Sequence, residues 1–223
     1  MRSGIDDIHD RERKYQLEAT EIDDHERKYL EAAKVKALRA IELPAKDLAL
    51  ILNDGIRQTP ATAAVEGGQA TIIVLSGGPG VGKTTAASKY LADLVRDDAS
   101  WSGERTTYGK PRESWTFRRS ALFVTSAQLS RWKIYDGKEM GRLLNTTRLA
   151  IDDAGAEFLE GRLSATIDEI INERYAHRRE TVLTTNLVVG EFRDRYGERV
   201  ADRILECGKF VGLGKGSMRG KLL

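Results

Sequence analysis

The sequence predicts an α/β protein in which helices flank a parallel sheet of five strands. Three observations support this fold class. Short apolar, β-branched runs alternate with longer segments of helical spacing. A glycine-rich loop joins the first of these runs, at residues 71–76, to a helix. Polar residues then follow the ends of later runs, where ligands bind in parallel sheets.

The elements are expected in strict alternation along most of the chain. The strands are predicted at residues 71–76, 121–124, 148–151, 181–185 and 209–213, and the helices at 44–53, 86–96, 126–132, 162–178 and 198–207. Residues 59–69 are rich in Ala, Thr and Gly, which predicts a loop.

Composition excludes some classes of protein. The chain has 223 residues and a formal net charge of +2, so any basic surface must be local. Its single cysteine, Cys207, cannot form an internal disulfide, which favours a reducing cytoplasm. The charged first residues do not resemble a secretory signal. No run approaches the ~20 apolar residues of a membrane span, so we expect no membrane association.

Two regions are expected, 1–43 and 44–223. Residues 1–43 are rich in charged residues and Ala, which favours helix. Ile8, Tyr15, Ile22 and Tyr29 fall seven apart, a thin apolar stripe at heptad spacing. Two interpretations remain open: a solvated helix that packs loosely on its own domain, or a docking helix for a partner protein.

The segment 97–120 is polar and long for a connection, which predicts an insertion or a mobile loop in the second region. A basic run with interleaved aromatic residues extends from Trp101 to Lys133. Such a run suits single-stranded nucleic acid, because cations meet phosphates and rings stack on bases. The alternative is a solvated loop whose rings pack on the domain surface. The basic residues are Arg105, Lys110, Arg112, Arg118, Arg119, Arg131 and Lys133, and the rings are Trp101, Tyr108, Trp115, Phe117 and Trp132.

The glycine-rich loop carries the strongest motif in the chain. It fits the P-loop pattern G-x-x-x-x-G-K-[ST] with the residues Gly77, Gly78, Pro79, Gly80, Val81, Gly82, Lys83, Thr84 and Thr85. Backbone N–H groups of such a loop and of the following helix bind phosphate oxygens. Lys83 is expected to reach the β- and γ-phosphates of ATP, and Thr84 to hold Mg²⁺. The alternative is a chance glycine-rich turn.

Polar residues also end two later strands. Asp152 is expected to hold Mg²⁺, and Asp153 to orient or deprotonate the attacking water. Asn186 can hydrogen-bond both a γ-phosphate and that water. The alternatives are carboxylates that cap a turn before Gly155, and a turn asparagine.

Several runs together closely resemble the DnaC/IstB branch of AAA+ ATPases. These are Ile171 to Tyr175 with Arg178, Thr181 to Leu187, Gly197 to Arg203, and Gly216 to Arg219. DnaC-type members are replicative helicase loaders, and IstB-type members assist transposition. The resemblance covers about residues 71–220 and implies an AAA+ type of P-loop fold.

The resemblance also implies roles for single residues. Asn186 looks like the sensor I residue, Arg203 like an arginine finger that reaches the ATP of a neighbouring subunit, and Arg219 like the sensor II arginine, with Arg199 supporting the interface. This implies a homo-oligomer with shared sites. The alternatives are a surface ion pair between Arg203 and Glu206, and a solvated tail residue at 219.

Three functions are therefore weighed. The first is a DnaC-like ATPase that assembles on single-stranded DNA and acts on a replicative helicase or a transposase-type partner. Asp153 is shorter than the Glu found in many AAA+ proteins, so hydrolysis is expected to be slow. The second is an IstB-like transposition ATPase or an ATP-gated DNA-binding adaptor. The third is a nucleotide or small-molecule kinase, which the acid pair and Asn186 disfavour.

Overall fold

A computed structural model describes residues 28, 31–66, 70–97, 99–105, 111–117, 120–131, 137–156 and 161–214. The helices are α1 (31–40), α2 (Ala45–Leu52), α3 (Pro60–Val65), α4 (Lys83–Asp97), α5 (Ser126–Arg131), α6 (Gly137–Asn145), α7 (Gly161–Ala176), α8 (Val189–Tyr196) and α9 (Glu198–Cys207). The strands are β1 (Ile72–Ser76), β2 (Ala99–Arg105), β3 (Pro111–Phe117), β4 (Ala121–Thr125), β5 (Arg148–Ala154), β6 (Glu180–Thr185) and β7 (Gly208–Gly212).

Five of the strands form one parallel sheet in the order β4-β5-β6-β1-β7. This confirms the predicted fold class and all five predicted strands. Apolar side chains cover both faces: Ile73 and Leu75 of β1 join one core cluster, and Ile72 and Val74 join the other. The alternation arises because successive side chains of a strand point to opposite faces. Both faces are buried, as the near-continuous apolar runs of a parallel sheet require.

The prediction of a loop over residues 59–69 is wrong. Helix α3 occupies Pro60–Val65 within it. The Thr59 hydroxyl accepts a hydrogen bond from the Thr62 backbone N–H at 3.1 Å and so caps the helix. Pro60 stands at its first position, where a missing N–H costs nothing. Ala and Val then continue the helix, although their composition had indicated a loop.

The segment 97–120 contains two strands that were not predicted from the sequence. β2 and β3 pair antiparallel as a sheet of their own, separate from the main sheet. Trp101 lies opposite Trp115 in the register of this hairpin. The insertion therefore has regular structure between α4 and β4. Helices α6 and α8 were also not predicted.

The described part of the first region packs on the domain. Leu38, Ile41 and Leu43 are buried in the same core cluster as β1 and α4. The Ile41 carbonyl accepts a hydrogen bond from the Phe123 backbone N–H at 3.0 Å. Tyr29 and the rest of the heptad stripe lie outside the described residues. No helix of the described chain has the length and apolarity needed to cross a bilayer.

A fully buried arginine, Arg174 of α7, forms hydrogen bonds that connect α7 to neighbouring segments at the amino end of the main sheet. Its guanidinium donates to the Thr181 hydroxyl at 2.7 Å and to the carbonyls of Leu143 (2.8 Å), Thr146 (2.8 Å) and Glu180 (2.6 Å). Burial lowers the pKa of Arg174 to about 9, so the group stays protonated at neutral pH. Its planar set of donors matches acceptors on α6, on β6 and in the loop between α6 and β5 at once.

The substitution Arg174→Lys is expected to destabilise the fold by about 3 kcal/mol, because one ammonium cannot reach all four acceptors and leaves buried carbonyls unsatisfied. Chemical denaturation measures this free energy of unfolding. The control is Arg39→Lys on the exposed side of α1, which should change stability by less than about 0.5 kcal/mol. Equal stability of the two variants would contradict the role of Arg174.

Candidate functional site

The strand order brings the predicted site residues to one edge of the sheet. β6 lies between β5 and β1, so the loop after β1, the acids of β5 and the residue after β6 are neighbours. Their side chains converge at the carboxyl ends of these strands. This is the edge where ligands bind in open parallel sheets.

Lys83, at the first position of α4, is buried at the centre of this group. Its ammonium donates to the carbonyls of Gly77 at 2.7 Å and Gly78 at 2.9 Å, and to the side-chain oxygen of Asn186 at 3.0 Å. The structure thus brings Lys83 and Asn186 together across 103 residues. A phosphate oxygen could replace any of these acceptors without moving the lysine far.

The loop geometry explains two of its glycines. Gly80 and Gly82 have φ angles of 84° and 90°, which side chains of L-residues rarely tolerate. At Gly77, a Cβ would lie 2.7 Å from the Leu213 carbonyl oxygen, so a larger residue would separate the loop from the segment after β7.

Asp152, near the end of β5, is buried and accepts hydrogen bonds only from hydroxyl groups among its described partners. The Thr84 hydroxyl lies 3.1 and 3.2 Å from its two oxygens, and the Thr184 hydroxyl donates to Oδ1 at 2.5 Å. Burial raises the pKa of Asp152, the Thr184 hydrogen bond opposes this, and the neighbouring charge of Asp153 adds to it.

Asp153 leaves the strand geometry that Asp152 keeps. Its φ is 57°, and the pairing of β5 with β6 shifts register between Ile151 and Ala154. The Asp153 backbone N–H donates to the Thr184 hydroxyl at 2.9 Å, which holds this turn. The side chain is exposed and lines the cavity beside the loop.

That cavity has a volume of about 890 Å³, within the range of roughly 300–1,000 Å³ usual for ligand sites. One wall is the glycine-rich loop with the first turn of α4, together with Asp153 and Asn186. The opposite wall comes from α2 and the segment up to Thr62. Another open depression, of about 810 Å³, lies at the amino end of the sheet beside Tyr175 and Lys209, away from the loop.

Thr84 and Asp152 fit a magnesium ion. Both offer oxygen, the donor that this hard cation requires. Because the Thr84 hydroxyl proton points to Asp152, its lone pairs remain for a metal. No cluster of three His, Cys, Asp or Glu side chains suited to a metal occurs among the described residues. A magnesium site with few protein ligands and phosphate oxygens is the usual kind.

Arg203 is not part of this group. Its guanidinium lies over the Tyr175 ring, 5.5 Å from the centroid. Glu206 accepts instead from the Tyr175 hydroxyl at 2.6 Å, so the described ion pairs do not include one between Arg203 and Glu206. Arg199 pairs with Asp168. Arg219 lies outside the described residues.

Two residues of the site were missed from the sequence. Thr184 was visible in the run before Asn186; its hydroxyl donates to the Asp152 carboxylate and accepts from the Asp153 backbone N–H. Asp47 lies on α2, and its carboxylate accepts from the Thr85 hydroxyl at 2.8 Å. No motif marked Asp47, because its contact spans 38 residues.

Searches against family models and curated proteins give no match to this chain. Solved structures do match. The DnaC helicase loader is 21% identical, with a TM-score of 0.51, over 79% of this chain and 95% of that chain. DnaI is 16% identical, with a TM-score of 0.50, over 81% and 93%. The replication initiator DnaA bound to AMPPCP and single-stranded DNA is 14% identical, with a TM-score of 0.54, over 77% and 51%.

This chain has the fold of AAA+ ATPase domains. The resemblance to the helicase-loader branch is confirmed at the level of the fold, across about four-fifths of the chain. In this AAA+ fold, the P-loop, the two acids and Asn186 occupy the carboxyl edge described above.

The substitution Thr184→Val should raise the Mg²⁺ concentration that half-saturates nucleotide binding by about tenfold, since Asp152 loses a hydrogen bond worth about 1.5 kcal/mol. Titration of Mg²⁺ at fixed nucleotide measures this. Thr184→Ser keeps the hydroxyl and should behave like wild type. A folded Val variant with unchanged Mg²⁺ dependence would show that Thr184 does not hold Asp152 for the metal.

Proposed function

We propose that this chain binds and hydrolyses ATP as an AAA+ protein of helicase-loader type, assembles on single-stranded DNA and acts on a partner protein. The observation that carries the proposal is the meeting of Lys83, Thr84, Asp152 and Asn186 at one edge of the sheet. This set binds polyphosphate and a metal and can hold a water molecule beside them.

Each residue has a physical task in this proposal. Lys83 donates to protein oxygens in the structure and would donate to the β- and γ-phosphates when nucleotide binds. Thr84 and Asp152 hold Mg²⁺, which neutralises phosphate charge when bound. Asp153 projects into the cavity and handles the attacking water, while Asn186 orients it. The loop glycines from Gly77 to Gly82 allow backbone N–H groups to face the phosphates.

Two substitutions test this proposal. Lys83→Ala should abolish nucleotide binding, because it removes the cation that faces the phosphates. Asp153→Asn should keep nucleotide affinity and stop turnover, since it changes only the group that handles water. Fluorescent-nucleotide titration and phosphate release measure the two effects. Equal nucleotide affinity in wild type and Lys83→Ala would refute the assignment.

The proposed partners rest on the fold and on the basic aromatic run. The solved DnaA structure is bound to single-stranded DNA, and the DnaC structure is a helicase loader. The hairpin of β2 and β3 contains much of that basic aromatic run. Stimulation of phosphate release by single-stranded DNA supports an ATPase, whereas phosphate transfer to a small acceptor would support a kinase. Capture of a helicase or of a transposase with ATP separates loader from transposition helper.

We further propose that Arg203 completes the site of a neighbouring subunit. Lys83 is the one cation close to Asn186 among the described contacts, and the transferring phosphoryl group develops further negative charge. The place of Arg203 on α9, away from its own P-loop, supports a role in trans. Arg219 is proposed to contact ATP in its own subunit.

The substitution Arg203→Ala should leave ATP binding intact and lower hydrolysis by about 10³-fold or more. Mixing this variant with Lys83→Ala should restore part of the activity, because one interface then pairs an intact loop with an intact arginine. Phosphate release across mixing ratios measures the recovery. Near-normal turnover in Arg203→Ala alone, or no recovery on mixing folded variants, would rule out a shared site.

A further inference from the structure

Asp47 is a buried carboxylate that the P-loop motif does not include. It lies on α2, is 4% exposed, and belongs to the wall of the cavity opposite the glycine-rich loop. Its two oxygens accept from the Thr85 hydroxyl at 2.8 Å and from the Ser88 hydroxyl at 3.3 Å. Both partners lie in the first turns of α4, so a single side chain joins the two walls.

The surroundings explain how this charge is tolerated. Asp47 lies in the first turn of α2, and Thr85 is the third residue of α4. The partial positive charges at the N-termini of α2 and α4 therefore both lie near this carboxylate. Its described hydrogen-bond partners are hydroxyls, so these dipoles replace the cation that a buried acid usually needs.

Thr84 and Thr85 donate their hydroxyl protons to different carboxylates. A hydroxyl donates one proton only. Thr84 gives its proton to Asp152, and Thr85 gives its proton to Asp47. The Thr85 side chain thus has no proton for a phosphate, and its backbone N–H is the group left to bind one.

We propose that Asp47 is a positioning residue for the phosphate site. By accepting from Thr85 and Ser88, it fixes the first turn of α4, with its phosphate-binding amides, against α2. Asp47 itself touches no nucleotide phosphate. The inference rests on the proposed nucleotide binding, but not on hydrolysis.

Nucleotide affinity tests the inference. Asp47→Ala should weaken binding of a fluorescent ADP analogue with Mg²⁺ by about tenfold, mainly through loss of the shorter of its two hydrogen bonds, the one from Thr85 to the charged carboxylate. Asp47→Asn should stay within about threefold of wild type, because its amide oxygen accepts from Thr85 and its amide nitrogen donates to Ser88. Asp93→Ala, which removes an acid of α4 that pairs with Lys89, is the matched control and should leave affinity unchanged.

A double-mutant cycle tests whether Asp47 acts through Thr85. Thr85→Val should lose most of the affinity that Asp47→Ala loses, and the double variant no more than Asp47→Ala, since both single variants remove the hydrogen bond between Thr85 and Asp47. Purely structural damage would lower the melting temperature while affinity stays unchanged, and that result in Asp47→Ala or Thr85→Val overturns the inference. Additive losses overturn it as well.

The outcomes separate this inference from the proposed function. If Asp47→Ala does not fold, Thr85→Val decides alone: unchanged affinity in that variant refutes the role of Asp47, and a tenfold loss that Thr85→Ser restores supports it. If the wild-type protein binds nucleotide but does not hydrolyse it, the proposed ATPase activity is refuted and the double-mutant cycle remains valid. A wild type that binds no nucleotide refutes both.

Discussion

The carboxylate of Asp152 is buried in the sheet edge with hydroxyl groups as its described partners, and the rest of the site depends on that arrangement. A buried charge costs several kcal/mol unless hydrogen bonds surround it. Thr184 comes from the neighbouring strand and Thr84 from the P-loop helix, so the strand order must bring β1, β6 and β5 side by side. For the proposed role of Asp152 as a metal ligand, hydroxyl donors suit better than a lysine would, because they leave the negative charge of the carboxylate available.

The same hydroxyl of Thr184 also stabilises the strained residue beside Asp152. Asp153 has a left-handed φ of 57°, which costs a residue with a Cβ roughly 1–2 kcal/mol. Its backbone N–H donates to Thr184, and its carbonyl accepts from Ser126 at 2.8 Å, which offsets part of this cost. The strain has a geometric result: the register shift turns the second acid out of the strand and into the cavity. Strain of this kind collects at functional sites.

The sequence predicts the main sheet well because its inner strands β1, β5 and β6 are buried on both faces and carry apolar, β-branched runs. The P-loop, the acids and Asn186 follow from local patterns at strand ends. Other features depend on contacts that no local pattern records. The carboxylate of Asp47 meets Thr85 only through folding. In β2 and β3, apolar and polar residues alternate over only four residues each, 99–102 and 114–117, among charged residues and glycine, which is too short to distinguish a strand from a polar loop. Helix α3 was missed for another reason: its composition resembles a loop, while the Thr59 cap and Pro60 give the true signal.

The electrostatics of the cavity favour the metal ion that we propose for the site. Burial is the main cause of the raised pKa of Asp152, and the charges of Asp153 and Asp47 both add to it. Two of these acids, Asp47 and Asp153, line the cavity that a polyphosphate, itself anionic, would enter, and Asp152 is buried beside it. Lys83 supplies one compensating charge at the loop, and the dipole of α4 supplies a partial one. A divalent cation held by Thr84 and Asp152 would offset this repulsion, so under the proposed function nucleotide and Mg²⁺ should bind as one unit rather than independently.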